Sequence, residues 1–141
     1  MIVKVKKNNP EAILPTYGSE GAGCFDLYSC EQVVLAHGET HTFDTGLAFE
    51  IPKGHVMLVY LRSSMGARGF SLSGHVGVID SDYRGNVFVP FRMDKNSIQV
   101  INKGDRIAQA MITPFEQVNF IETDTLTETK RGKGGFGSTG A

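Results

Sequence analysis

The sequence predicts an all-β domain of the jelly-roll or distorted-barrel kind, with one short helix and a flexible glycine-rich C-terminal tail. Three observations support this prediction. Apolar and polar residues alternate in short segments, as in residues 2–6. Glycine and proline turns such as Pro52-Lys53-Gly54 separate these segments at close spacing. From Thr123 onward apolar residues thin out and glycine accumulates, which is typical of a segment that cannot order itself.

The predicted elements follow one another with short connections. Strands are expected at residues 2–6, 24–28, 33–35, 40–43, 47–51, 55–61, 76–79, 86–89, 97–101, 104–113 and 118–121. Residues 63–69 are the best candidate for a short helical turn. Residues 106–111 also fit a helix by propensity, but the flanking turns and Pro114 favour a strand.

Two turns predict which strands are neighbours. Pro52-Lys53-Gly54 predicts that residues 47–51 pair with residues 55–61. Asp82-Tyr83-Arg84-Gly85 has aspartate first and glycine last, as a type I turn prefers. It predicts a β-hairpin between residues 76–79 and 86–89.

Length and composition limit the functional classes to which the protein can belong. The 141 residues suffice for one domain, expected at residues 1–122, followed by a flexible arm at residues 123–141. A net charge of -1 gives no overall attraction to duplex nucleic acid or an anionic membrane. No apolar run has membrane-spanning length, and the first residues lack the apolar core of a signal peptide. On one extended strand Cys24 and Cys30 would lie roughly 20 Å apart, which favours a reduced, cytoplasmic chain.

The expected hairpin concentrates polar groups at its tip. Asp80, Asp82 and Tyr83 crowd there, while Gly77 leaves one strand without a side chain, so that a flat ligand can approach the backbone. The alternative interpretation is an exposed turn with solvated charges.

Two other stretches are candidates for binding anions. Arg62-Ser63-Ser64 follows a strand and opens the expected helical turn, so backbone N–H groups, two hydroxyls and a guanidinium converge. An N-cap serine beside a surface arginine is the competing interpretation. The tail supplies charge from Lys130, Arg131 and Lys133, hydroxyls from Ser138 and Thr139, and a lone aromatic, Phe136, suited to stacking on a base. Composition alone favours plain disorder there.

Three aspartates, Asp26, Asp80 and Asp82, are candidates for handling a metal ion or water, although isolated aspartates near turns are usually turn formers. The four histidines show no zinc-binding spacing. A phosphate cradle, a basic tail, these acids and one aromatic together favour a nucleotide bound through Mg²⁺.

The chain resembles the trimeric-type dUTPases from end to end. Five motifs stand in the family's order, at residues 21–28, 62–66, 77–85, 104–109 and 131–137. Each is weak by itself, but all five in order are specific. The resemblance implies hydrolysis of dUTP to dUMP and pyrophosphate with Mg²⁺, in a homotrimer whose sites lie between subunits, with the tail of one subunit closing the site of another.

The resemblance also implies roles for individual residues. Asp80 orients and deprotonates the water that attacks the α-phosphorus, and Asp26 holds Mg²⁺ through water. The implied substrate-binding residues are Arg62, Ser63, Ser64, Gly66, Gly74, Gly77, Val78, Ile79, Tyr83, Phe88, Gln109, Arg131, Phe136, Gly137 and Ser138. We further expect the Tyr83 ring to lie under the sugar and exclude ribose. No nucleic-acid or membrane partner is implied.

Two departures from the family pattern stand out. Gly74, followed by His75, occupies a position where many members carry an asparagine that contacts uracil, and Ser64 replaces a frequent glycine. Two alternatives stay open. The related dCTP deaminases need a glutamate where this chain has Pro90, which argues against deamination. A regulatory binding protein switched by nucleotide is the alternative outside enzymology.

Overall fold

The computed structural model describes residues 1–138 and residue 140. Over these residues the chain forms eleven β-strands and one short helix, so the predicted all-β fold is confirmed. In chain order the elements are β1 (Lys4–Lys7), β2 (Thr16–Tyr17), β3 (Phe25–Tyr28), β4 (Val33–Leu35), β5 (Thr40–Glu50), β6 (His55–Leu61), α1 (Ser63–Ala67), β7 (Phe70–Leu72), β8 (Gly77–Ile79), β9 (Asn86–Met93), β10 (Gln99–Ile101) and β11 (Arg106–Pro114).

Two antiparallel sheets carry most of the strands. One has the order β1-β5-β9-β7 and the other has the order β2-β3-β11-β6-β8, while β4 and β10 form a separate pair. Within the described part of the chain neither large sheet closes on itself, and the arrangement is a distorted jelly roll. None of the described residues belongs to a helix with the length and apolar character needed to cross a membrane.

The core lies where the inward rows of side chains meet. Along β9 every second residue is buried, beginning with Val87 and Val89. Phe91 continues this row and contacts Phe43 edge-on, with ring centroids 5.6 Å apart, and Phe70 in a stacked arrangement at 5.3 Å. Burying side chains of this size contributes roughly 1.5–3 kcal/mol each. Because this alternation fixes which face of β9 points inward, it also determines that Phe88 points outward.

A β-bulge interrupts the longest strand. The pairing of β5 with β9 shifts between Asp44 and Ala48. Gly46 lies inside the bulge with φ +67°, and a Cβ there would be 2.7 Å from Cβ of Asn9. Only glycine therefore fits this position. The bulge brings Asp44 beside Asn86, the first residue of β9.

The two predicted strand pairings are wrong, although a turn forms at the first predicted position and close to the second. His55 N–H donates to Pro52 O over 3.1 Å, yet β5 pairs with β1 and β9, whereas β6 pairs with β8 and β11. The expected hairpin fails in the same way, because β8 pairs with β6 while β9 lies in the other sheet. Its turn bond joins Tyr83 N–H to Asp80 O, two residues earlier than predicted. Both connections cross between sheets.

Residues 118–121 do not form the predicted strand. Val118, Phe120 and Ile121 are exposed by 61%, 93% and 87%. Conversely, the short strands β2 and β7 were not predicted, since two or three residues are too few for an alternating pattern to show. The predicted short helix and the strand assignment of residues 106–111 are confirmed by α1 and β11.

Candidate active site

A buried carboxylate organises one polar cluster. Asp26 lies on β3 with 6% of its surface exposed. Its Oδ1 accepts a hydrogen bond from Arg62 Nε over 2.8 Å, and its Oδ2 accepts one from Arg106 Nη1 over 3.3 Å. A buried carboxylate needs such partners, and two guanidinium groups around one carboxylate leave a net positive charge. The arrangement is suited to binding an anion.

Hydroxyl and amide groups adjoin this carboxylate. Arg62 immediately precedes α1, and its Nη1 donates to Ser64 Oγ over 3.1 Å. Gln109 lies opposite Asp26 in the β3–β11 pairing, and its Nε2 donates to Leu61 O over 3.0 Å. We call Arg62, Ser63, Ser64, Gly66 and Gln109 the phosphate cluster. The structure therefore brings together five of the sequence-predicted site residues.

The second group of predicted residues lies around β8 and the connection that follows it. Gly77 lies opposite Val59, and a Cβ on Gly77 would be 3.1 Å from Cβ of Val59, so the two strands approach closely. Val78 is 61% exposed. Gly74 is exposed, and the neighbouring His75 adopts φ +61°, a left-handed conformation that is uncommon for histidine.

Asp80 follows the last residue of β8 and is exposed. It lines a surface groove of about 900 Å³ together with Asp82. Lys4, Lys53 and Arg84 line the same groove, together with Glu50, which pairs with Lys4 over 3.0 Å, so three cations face three carboxylates there. An exposed carboxylate at the end of an anchored strand can accept a proton from water and return it to solvent.

Tyr83 is held against its own loop. Its hydroxyl donates to Asn86 O over 3.0 Å, and a Cβ on Gly85 would collide with that hydroxyl. The ring therefore lies on the Gly85 backbone, and 41% of Tyr83 stays exposed. Phe88, which the resemblance assigns to the uracil slot, is 46% exposed on β9.

The strand register separates Asp80 from the phosphate cluster. Ile79 pairs with Met57, so Asp80 lies level with Val56, near the start of β6. Arg62 follows the other end of β6, six residues further along. At a rise of about 3.3 Å per residue, the two positions are about 20 Å apart. One chain therefore does not bring Asp80 and Arg62 to the same phosphorus atom.

The tail makes hydrogen bonds within itself. Arg131 Nε donates to Gly134 O over 2.9 Å, and Ser138 N–H donates to Gly135 O over 3.1 Å. Phe136 is fully exposed, so it packs on none of the described residues. Gly137 adopts φ +89°. Thr139 and Ala141, which belong to the expected arm, lie outside the described residues.

Sequence reasoning missed Arg106 as a member of the Asp26 cluster. A signal exists, because Arg106 is a charged residue at the start of a strand whose next residues, Ile107 and Ala108, are fully buried. A cation beside buried strand residues is a candidate partner for a carboxylate, but only the pairing of β3 with β11 identifies that carboxylate as Asp26.

The part of the chain that the structure describes provides no complete metal cage. Among residues 1–138 and residue 140, no group of three or more histidine, cysteine, aspartate or glutamate side chains is placed to hold a metal ion. Both Asp26 oxygens already accept from guanidinium groups, which disfavours direct coordination. Each oxygen keeps a further lone pair, and so Asp26 fits a hydrated Mg²⁺ as an acceptor from metal-bound water.

Comparison with known proteins gives one consistent result. The family model described as dUTPase matches residues 10–140. The deoxyuridine 5'-triphosphate nucleotidohydrolase of Nautilia profundicola is 44% identical over 141 residues, which cover 99% of each chain. That of Escherichia phage T5 is 36% identical and also covered to 99%.

Solved structures agree with this result. The Staphylococcus bacteriophage 80alpha dUTPase with dUpNHpp has a TM-score of 0.92 and 26% identity, covering 99% of each chain. The dUTPase of phage phi11 of S. aureus, for which coordination of a structural Mg(II) ion is described, has a TM-score of 0.80 at 22% identity, covering 89% of this chain and 98% of that one. Family model, relatives and fold together show that the chain belongs to the dUTPase family.

Proposed function

We propose that the protein hydrolyses dUTP to dUMP and pyrophosphate, with Asp80 as general base and the phosphate cluster of a neighbouring subunit holding the triphosphate. One observation carries this proposal: the polar groups form two sets about 20 Å apart along β6. One set contains the carboxylate of Asp80. The other contains the guanidinium, hydroxyl and amide donors of the phosphate cluster. Membership of the dUTPase family supplies the substrate.

In the proposed reaction Asp80 accepts a proton from water as the water oxygen bonds to the α-phosphorus. The bond from that phosphorus to the oxygen bridging to the β-phosphorus breaks, and pyrophosphate leaves. Asp80 then returns the proton to solvent. A positioned carboxylate base contributes roughly 10²–10⁴-fold to such a step. The exposure of Asp80 supports both proton transfers.

The phosphate cluster neutralises and orients the triphosphate. Arg62 has five N–H donors, of which Nε serves Asp26 and one Nη1 donor serves Ser64, so the others are available to phosphate oxygens. Ser63, Gly66 and Gln109 add hydroxyl, backbone and amide donors. Because Asp26 anchors Arg62, this guanidinium is already oriented before substrate arrives.

Asp26 would accept hydrogen bonds from the water shell of Mg²⁺. An ion held in this way would supply positive charge that offsets the charge developing on the leaving pyrophosphate. The chain's own contribution is to hold the Asp26 carboxylate in place between Arg62 and Arg106.

The base and sugar are assigned to the β8 region. Backbone groups of Gly74, Gly77, Val78 and Ile79, with Phe88, would contact uracil. Tyr83 would lie under the deoxyribose, where its ring leaves no room for a 2′-hydroxyl. The exposure of Val78, Phe88 and Tyr83 supports this assignment, since apolar side chains left open on a strand are typical of a binding surface.

Assembly as a homotrimer would join the two sets of residues from different subunits. All residues from 114 to 133 are exposed, including the apolar side chains of Val118, Phe120 and Ile121, which a neighbouring subunit would cover. Residues 123–141 would then act as an arm that closes a site, with Arg131, Gly137 and Ser138 on the γ-phosphate and Phe136 over the uracil.

A cytoplasmic location is part of the proposal. Both Cys24 and Cys30 are free. Burial, followed by the carboxylate of Asp44, raises the pKa of the Cys30 thiol, which keeps it protonated and unreactive. Free thiols are compatible with a reducing compartment.

Product analysis tests the proposed activity. Purified protein is offered dUTP, dCTP and dTTP in separate reactions, each with Mg²⁺ and with EDTA as control, and the products are separated by anion-exchange chromatography. We expect dUMP and pyrophosphate from dUTP, and loss of turnover in EDTA. Ammonia release from dCTP would instead indicate a deaminase, and dUTP binding without turnover a regulatory protein.

A further inference from the structure

The Tyr83 ring owes its position to the residue that begins β9. Tyr83 is fixed at two points, because its hydroxyl donates to the carbonyl oxygen of Asn86 and its ring lies on the Gly85 backbone. A shift of that carbonyl therefore shifts the ring or breaks the hydrogen bond. The position of the Asn86 backbone thus determines where the Tyr83 ring would meet a bound sugar.

The Asn86 side chain is held at both ends of its amide. Its Nδ2 donates to both carboxylate oxygens of Asp44, over 3.0 and 2.9 Å. Its Oδ1 accepts from Asn8 Nδ2 over 2.7 Å. A carboxylate can only accept hydrogen bonds. The Asn86 amide therefore has a single orientation in which Nδ2 faces Asp44 and Oδ1 faces Asn8 Nδ2.

Asp44 is itself fixed by the bulge in β5. Its Oδ1 also accepts from Gly46 N–H over 2.7 Å, and Gly46 O accepts from Asn8 N–H over 2.8 Å. Asp44, Gly46, Asn8 and Asn86 therefore form a closed ring of hydrogen bonds, which we call the bulge network. The network lies at the point where the connection from β8 enters the four-stranded sheet.

We infer that Asn86 is a positioning residue for Tyr83, and that the bulge network thereby sets the discrimination between deoxyribose and ribose. The inference rests on the proposed function, in which Tyr83 faces the sugar. A positioning role for Asn86 can be distinguished from a purely structural role by the effect of breaking the bulge network. A structural network lowers stability when it is broken, whereas a positioning network also changes the preference for dUTP over UTP.

A charge exchange between Asp44 and Asn86 tests this inference. Asn86→Asp places two carboxylates about 3 Å apart, where they repel each other. The double variant Asp44→Asn/Asn86→Asp again sets an amide opposite a carboxylate and leaves Asn8 with an acceptor. The measured quantity is kcat/KM for dUTP divided by kcat/KM for UTP, in the full-length protein with Mg²⁺, with thermal unfolding followed in parallel.

We expect Asn86→Asp to lower this ratio by about three- to tenfold, the range of one hydrogen bond, and the double variant to restore it to within about twofold. Tyr83→Phe removes the hydrogen bond to the Asn86 carbonyl, the contact that a shift of the Asn86 backbone would weaken, so it should lower the ratio to a similar extent. Adding Asn86→Asp to Tyr83→Phe should then produce little further loss, because the two changes act through one contact.

The possible failures are distinguishable. Wild-type protein that does not turn over dUTP, or turns over dUTP and UTP equally, overturns the proposed site and with it this inference. Wild-type protein that discriminates, with a ratio unchanged in Asn86→Asp and in Tyr83→Phe, overturns the inference alone. Asn86→Ala, which adds no charge, is assayed in the same way should Asn86→Asp not fold.

Discussion

Replacing Asp80 by asparagine is expected to lower kcat for dUTP by roughly 10²–10⁴-fold, the usual contribution of a general base. The amide has the same shape as the carboxylate but cannot accept the proton of the attacking water. Substrate binding relies on other groups, so the dissociation constant for a non-hydrolysable dUTP analogue should change little. Single-turnover kinetics and calorimetric titration measure the two effects separately.

Asp82→Asn is the matched control for this experiment. Asp82 lies two residues further along the same connection, is exposed like Asp80, and lines the same groove. Asp80 follows β8 directly and is anchored through the pairing of Ile79 with Met57, whereas Asp82 lies inside the turn. We therefore expect near-normal turnover from Asp82→Asn. The reverse pattern would make Asp82 the base.

Truncation after Lys130 is expected to remove most turnover while leaving the fold and assembly intact. The removed residues make their observed hydrogen bonds within the tail, and the exposed Phe136 packs against none of the residues that the structure describes. Ordering a glycine-rich segment costs roughly 1–2 kcal/mol per residue. Contacts of Arg131 with the γ-phosphate and of Phe136 with uracil would offset that cost only when the whole triphosphate is bound.

Phe136→Ala serves as the graded comparison. It removes the stacking surface but keeps Arg131, and closure would still exclude water from the phosphates. Its kcat should therefore fall less than that of the truncated chain, while thermal unfolding and sedimentation of both variants match the wild type. Wild-type turnover in the truncated protein would show that the tail takes no part in the reaction.

Local features of the fold were predictable from the sequence because they depend on neighbouring residues. The Pro52-Lys53-Gly54 turn forms, with Gly54 at φ +79°. The short helix α1 lies within the predicted span. Strand partners were not predictable in the same way. A tight turn ordinarily joins neighbouring strands, whereas here the turns before β6 and after β8 carry the chain from one sheet to the other.

The same distinction applies to the candidate site. Residue types and motif order predicted Arg62, Ser64 and Asp26 as site residues, and the structure joins these three side chains by hydrogen bonds. The separation of Asp80 from Arg62 follows only from the register of β6 with β8. Arg106 was missed for a related reason, because its carboxylate partner is distant along the chain and adjacent only through strand pairing.

Complementation between two inactive variants tests the central claim, that Asp80 and Arg62 of one site belong to different subunits. Asp80→Asn and Arg62→Gln chains are co-expressed with different affinity tags, and doubly tagged trimers are purified. Doubly tagged trimers of either variant with itself are the controls. If the site is shared, every mixed trimer contains one site in which both residues are intact, which predicts about a third of wild-type turnover per trimer. Turnover no higher than that of the controls would contradict the account, because it would place Asp80 and Arg62 of each site in the same chain.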